Sequence, residues 1–164
     1  MNNEARRTLE DLHGKVLAEA AQTYTFGVLD IDVPDDLQSL WEESFGDEGR
    51  RREAEAALAL LDDRDRELLL SVAMQATAID RPETKSLLAD SIVQAGQSMF
   101  VAEIATLTVA AALLLREWHT KGRTKDVHKR TVIEPGRITI DEHTVEYKPS
   151  EGLAKALTKL GLGS

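Results

Sequence analysis

Histidine is the side chain that most often performs acid–base or metal chemistry near neutral pH, and the sequence contains four. None of them shows the spacing of a metal-binding motif, such as two histidines four residues apart on one helix. The chain has no cysteine, which excludes disulfides, thiolate zinc sites and thiol catalysis. We therefore expect no metal and no cofactor. The four are His13, His119, His128 and His143.

Two clusters of aspartates have the chemistry of divalent-cation ligands, one at Asp30–Asp36 and one at Asp62–Asp65. The first lacks the glycine and the closing glutamate of a calcium loop. Both precede a helical pattern, where carboxylates accept hydrogen bonds from free backbone N–H groups and favour the helix dipole. We expect them to begin helices. Since there is also no nucleophile motif and no glycine-rich phosphate loop, we predict that the chain is not an enzyme.

A basic segment at residues 116–130 is the strongest candidate for binding. It holds six Lys or Arg, two acids and a tryptophan. Nucleic acid or an anionic lipid surface would suit such a segment, but the chain has a net charge of −9, whose field opposes a polyanion. We expect it to contact a protein partner, a second copy or the acidic part of its own chain. The candidate interaction residues are Arg116, Trp118, Lys121, Arg123, Lys125, Lys129 and Arg130.

The charge is divided unevenly along the chain. Residues 1–115 contain 10 Lys and Arg against 22 Asp and Glu, a net of −12, whereas residues 116–164 contain 10 against 7, a net of +3. An acidic body and a basic end can pair within one chain or between copies, so a homo-oligomer is an expected alternative to a different protein partner. The N-terminus lacks the basic and then apolar pattern of a secretory signal, so we expect a cytoplasmic protein.

One apolar segment, Gln97 to Trp118, is predicted to be the helix around which the other elements pack. It has no charge from Ile104 to Leu115, and a helix that is apolar on all sides must be surrounded by protein or lipid. A membrane span needs about 20 apolar residues. Because Glu103 interrupts this run, we expect a protein core, with a break or kink of the chain near Gly96.

Apolar residues that recur every three or four positions predict five helices before the central one. The first is predicted over residues 4–21, and residues 24–29 stay undecided between helix and extended chain because Gly27 interrupts them. The next four begin near Pro34, Gly49, Asp62 and Pro82, where prolines, glycine or aspartates supply start signals.

After the central helix the pattern predicts strands at Val127–Ile133 and Arg137–Ile140 around a Pro135-Gly136 turn, and a helix capped by Ser150. Thr144–Tyr147 is a third strand or the continuation of the second. The predicted fold class is mainly α: a helical bundle around a central apolar helix, with a C-terminal β-hairpin plus helix. We divide the chain into an acidic bundle (1–119), a basic linker (120–126) and the hairpin with the terminal helix (127–164).

From Glu103 onward an apolar helix ends in A-L-L-L-R-E-W-H-T-K-G-R, a hairpin carries P-G-R at its turn, and S-E-G-L-A-K-A-L-T-K-L follows. This last third resembles the effector-associated constant component family of bacterial conflict systems. The resemblance implies an adaptor or scaffold in an antiviral or conflict system that works through protein contacts. It brings no catalytic residue.

The sequence thus favours a non-enzymatic protein-interaction module. One alternative is a small nucleic-acid-binding regulator that uses residues 116–130. A second is a membrane-associated accessory protein that uses the helix at residues 99–115.

Overall fold

The fold is mainly helical, as predicted, and ends in a small antiparallel sheet followed by a helix. The computed structural model describes residues 12–32, 34–95, 103–117, 131–134, 136–140 and 143–161. The helices in these ranges are α1 (Gly14–Leu29), α2 (Pro34–Glu43), α3 (Glu48–Ala59), α4 (Asp63–Asp80), α5 (Lys85–Gln94), α6 (Ile104–Glu117) and α7 (Glu151–Lys159). A short 3-10 helix (Pro82–Thr84) leads into α5, and the strands are β1 (Thr131–Glu134), β2 (Arg137–Ile140) and β3 (His143–Glu146).

Helix α6 lies at the centre of the bundle, in contact with α1, α2, α3 and α4. Its Leu107 and the whole run Ala110–Leu115 are buried, which is what a helix with apolar residues on every side requires. Alanines in this run let neighbouring helices approach closely, and leucines fill the remaining space. Among the described residues, no helix is long and apolar enough to cross a membrane.

The C-terminal elements share the hydrophobic core of the bundle. The strands are antiparallel in the order β1-β2-β3, so Thr144 to Glu146 belong to a third strand and do not continue the second. Ile138 of β2 lies opposite Val145 of β3, and both side chains are buried on the face of the sheet that meets α4. Helix α7 packs against α3 through buried leucines, of which Leu153 and Leu157 lie one turn apart.

Side-chain caps begin three of the helices, and the caps at Asp62 and Ser150 are those that the sequence predicts. The carboxylate of Asp62 accepts a hydrogen bond from Asp65 N at 2.8 Å, and the hydroxyl of Ser150 accepts one from Leu153 N at 3.1 Å. The carboxylate of Asp47 does the same for Gly49 N. These bonds satisfy N–H groups that have no partner inside the helix.

The predicted first helix differs from the observed one at both ends. A continuous helix over residues 4–21 is wrong at His13, which is extended, and at Gly14, which has φ +60 and begins α1; residues 4–11 lie outside the described ranges. At the other end α1 includes residues 24–29. Gly27 fits there because a Cβ at that position would lie 2.8 Å from Leu87 of α5, so the glycine permits close packing of the two helices.

The central helix is shorter than predicted. Glu103 is exposed and precedes α6, so a helix running through this residue is wrong, and α6 starts at Ile104. The predicted break before it is present at Ala95, which is extended and ends α5. Residues 96–102 and Trp118, the remainder of the predicted helix, lie outside the described residues.

Candidate functional site

Arg116 is the one predicted interaction residue whose position the structure describes. Its guanidinium donates hydrogen bonds to the backbone oxygen of Ser44 at 2.6 Å, to Ser44 Oγ at 3.3 Å and to the backbone oxygen of Leu160. The guanidinium carbon lies 3.7 Å from the centre of the Phe45 ring, which places the cation over the aromatic face. Burial lowers the pKa of Arg116, because the charged form is partly removed from water.

These contacts join three parts of the fold through one side chain. Ser44 and Phe45 follow α2, Arg116 is on the last turn of α6, and Leu160 follows α7. Arg116 thus contacts uncharged groups of its own chain. These partners are two backbone oxygens, the Ser44 hydroxyl and an aromatic ring. The other predicted interaction residues lie outside the described ranges: Trp118, Lys121, Arg123, Lys125, Lys129 and Arg130.

The histidines that the structure describes are both exposed. His13 Nδ1 lies 3.9 Å from Glu67 Oε1 just before α1, and His143 is on β3. In the ranges that the structure covers, no group of three or more His, Asp and Glu side chains could hold a metal ion. His119 and His128 lie outside those ranges.

A groove between α3 and α7 forms an apolar recess beside an exposed leucine. It has a volume of about 250 Å³. Helix α3 supplies Ala56, Ala57 and Leu60, and α7 supplies Gly152. Leu60 follows the last turn of α3 and is 83% exposed. Small residues on both helices keep the groove open, so a side chain from another molecule could enter beside Leu60.

Lysines border this groove, although the protein as a whole is acidic. Lys155 and Lys159 line it from α7, and Glu53 lines it from α3. Lys159 Nζ pairs with Glu53 Oε2 at 3.5 Å, whereas Lys155 forms no ion pair with any described residue. Within the described part of the chain, the groove therefore combines an apolar floor with one positive charge that no acidic side chain pairs with.

A smaller groove of about 120 Å³ lies where α3 meets α4 and α6. Ala59 lines it from α3, with Ala105 and Val109 from α6. Helix α3 thus lines both grooves with apolar side chains near its C-terminal end. This surface was not predicted from the sequence. The available signal was the unbroken apolar run Ala56–Leu61, which is wider than one helix face can bury.

Comparison with known proteins adds no family to this description. No family model, no curated protein and no solved structure matches the chain. The resemblance of residues 103–164 to the effector-associated constant component family therefore stays a prediction, and the functional argument rests on the surfaces of this chain.

Proposed function

We propose that the chain is a non-enzymatic protein-interaction module that binds an acidic amphipathic helix in the α3–α7 groove. The observation that carries the proposal is Leu60, which is 83% exposed at the edge of a groove lined by alanines and a glycine. An amphipathic partner helix would remove this leucine and the groove floor from water, which is the usual source of affinity for a helix in a groove.

The charge of the groove determines the expected chemistry of the partner. Lys155 has no ion-pair partner among the described residues, and Lys159 shares its charge with a single exposed glutamate. An acidic residue beside the apolar face of the partner would pair with Lys155 across the groove. A basic partner would be repelled at this site, even though the net charge of the whole chain would attract it.

The resemblance of the last third supports a further part of the proposal. An adaptor or scaffold with a partner-binding groove fits the role that the resemblance implies, namely a component of a bacterial antiviral or conflict system. The groove lies partly on α7, within the segment that carries the resemblance.

A photo-reactive amino acid at position 60 tests the proposal in cells that express the chain. We expect cross-links to one peptide whose apolar residues recur every three or four positions between acidic residues. Position 93 provides the matched control, because Val93 is also an exposed aliphatic residue, 74% exposed, but lies on α5.

The cross-linked peptide, once synthesised, should bind the purified chain. We expect Leu60→Ser or Lys155→Glu to weaken this binding by about tenfold, which corresponds to the loss of roughly 1.4 kcal/mol, and Val93→Ser to leave it unchanged. Equal cross-linking from positions 60 and 93, or a basic peptide, would contradict the proposal. Cross-linking to a second copy of the chain would overturn the choice of partner.

A further inference from the structure

A larger cleft, which shares no lining residue with either groove, lies where the start of α1 meets α4 and β3. Its volume is about 340 Å³, and its apolar lining includes Leu17, Leu68 and Val72. A water molecule occupies ~30 Å³ of liquid, so the cleft has room for about ten non-hydrogen atoms. This volume lies at the small end of the range for ligand pockets.

The Gln75 side chain of α4 lines the cleft and has unused hydrogen-bonding capacity. The side chain of Gln75 is buried, with only 5% of the residue exposed, and its Nε2 donates to Ser71 Oγ at 2.9 Å. The Gln75 Oε1 atom accepts no hydrogen bond from any described residue, yet it is not sealed from solvent. A buried amide oxygen in this position requires a donor from water or from a ligand.

Charges at the cleft favour a cation. Its lining includes two carboxylates, Glu67 and Glu146, one guanidinium, Arg64, and the His13 imidazole, whose Nδ1 lies 3.9 Å from Glu67 Oε1. Glu67 accepts a hydrogen bond from Gly14 N, whereas Glu146 is exposed and forms no ion pair in the part of the chain that the structure describes. The surrounding chain is itself acidic, with a net of −12 over residues 1–115. This field raises the local concentration of small cations.

We propose that this cleft binds a small primary amine that carries an aliphatic or aromatic group. The apolar group occupies the floor formed by Leu17, Leu68 and Val72. The ammonium group donates to Gln75 Oε1 and is attracted by Glu146. The ammonium group then meets an amide oxygen that accepts no hydrogen bond and a carboxylate that forms no ion pair with any described residue.

Three probes of similar size and different charge test the chemistry: 2-phenylethylamine, 2-phenylethanol and phenylacetate. Titration of the full chain, followed by ¹H–¹⁵N NMR, measures binding through the backbone amides of α4 and the side-chain amide of Gln75. We expect saturable shifts with the amine, at least about fivefold weaker binding of the alcohol and no saturable shift with the carboxylate.

Glu146→Gln should weaken binding of the amine at least about fivefold, because the change removes the negative charge and keeps the size of the side chain. Glu43→Gln is the matched control: Glu43 is an exposed glutamate at the end of α2, and it does not line the cleft. Gln75→Leu should also weaken binding, since it removes the amide oxygen and keeps the volume of the side chain.

If Gln75→Leu impairs folding, the comparison of Glu146→Gln with Glu43→Gln remains decisive. Equal loss of affinity in these two variants would show general attraction of the amine to an acidic surface and would overturn the proposal. Equal binding of amine and alcohol, or strongest binding of the carboxylate, would also overturn it.

Discussion

Arg116 stabilises the fold through hydrogen bonds that a lysine cannot reproduce. Its planar guanidinium donates to the backbone oxygens of Ser44 and Leu160 and stacks on Phe45 at the same time. A lysine ammonium on a flexible stem cannot keep this arrangement. We expect Arg116→Lys to lower the free energy of unfolding by about 1–3 kcal/mol, because backbone oxygens lose their donor, and Arg116→Ala to lower it further. Urea denaturation measures both.

Arg50→Ala is the matched control, because Arg50 is exposed on α3 and forms no ion pair with any described residue. This variant should change stability by less than about 0.5 kcal/mol, as is usual for surface positions. An Arg116→Lys protein as stable as the parent would show that the guanidinium contacts contribute nothing measurable to the fold.

The role of Arg116 could not be derived from its neighbours in the sequence. The hydrogen-bond partners lie 72 and 44 positions away, at the ends of two other helices. Sequence alone shows a basic residue that begins a basic segment, which indicates binding to something acidic. Its contacts with backbone oxygens follow only from the way α2, α6 and α7 meet. The same limit applies to Gln75 and Glu146, which reach one cleft from α4 and β3.

At the scale of elements, Ser150 connects the start of α7 to the start of α4. Its hydroxyl group accepts a hydrogen bond from Leu153 N and donates one to Asp65 Oδ2 at 2.7 Å. Ser150→Ala removes the helix cap and leaves the buried Asp65 carboxylate without this donor. We expect a loss of about 1–3 kcal/mol in the free energy of unfolding, measured by thermal or urea denaturation, since a cap alone contributes about 1 kcal/mol.

Two further variants separate the cap from the contact with α4. Ser150→Thr keeps the hydroxyl group and should retain most of the stability. In an Asp65→Ala background, Ser150→Ala should cost only the ~1 kcal/mol of the cap. If the cost of Ser150→Ala is the same in both backgrounds, the hydrogen bond between Ser150 and Asp65 has no energetic role.

Local chemistry made some elements predictable and left others open. Asp62 and Ser150 mark helix starts through hydrogen bonds formed within three residues, and Pro34 does so because its fixed φ suits the first helical position, so the sequence pattern was sufficient there. Within residues 24–29, Leu87 packs where Gly27 has no side chain, so the glycine is compatible with a continuous helix there. Such a contact between distant elements is not visible in a periodicity, and the glycine alone indicated an interruption.

At the scale of the whole molecule, the C-terminal elements and the helical bundle share one hydrophobic core. Ile138 and Val145 of the sheet are buried beside α4, and Leu157 of α7 is buried beside α3. Fold class followed from the sequence because a long uncharged helix must be covered by other elements. The division into residues 1–119, 120–126 and 127–164 stays a prediction, and it depends on whether the shared core unfolds as one unit.

Leu157→Ala tests this cooperativity, because Leu157 is only 2% exposed and lies far along the chain from α1. Truncation of a buried leucine to alanine costs about 2–5 kcal/mol through lost burial and the cavity that remains. If the chain unfolds as one unit, native-state hydrogen exchange should show the same decrease in protection for core amides of α1, such as Ala20 and Ala21, as for those of α7. Lys155→Ala, at an exposed position of the same helix, should change the protection of neither set of amides. A decrease confined to α7 and the strands would instead support residues 127–164 as a separately unfolding unit.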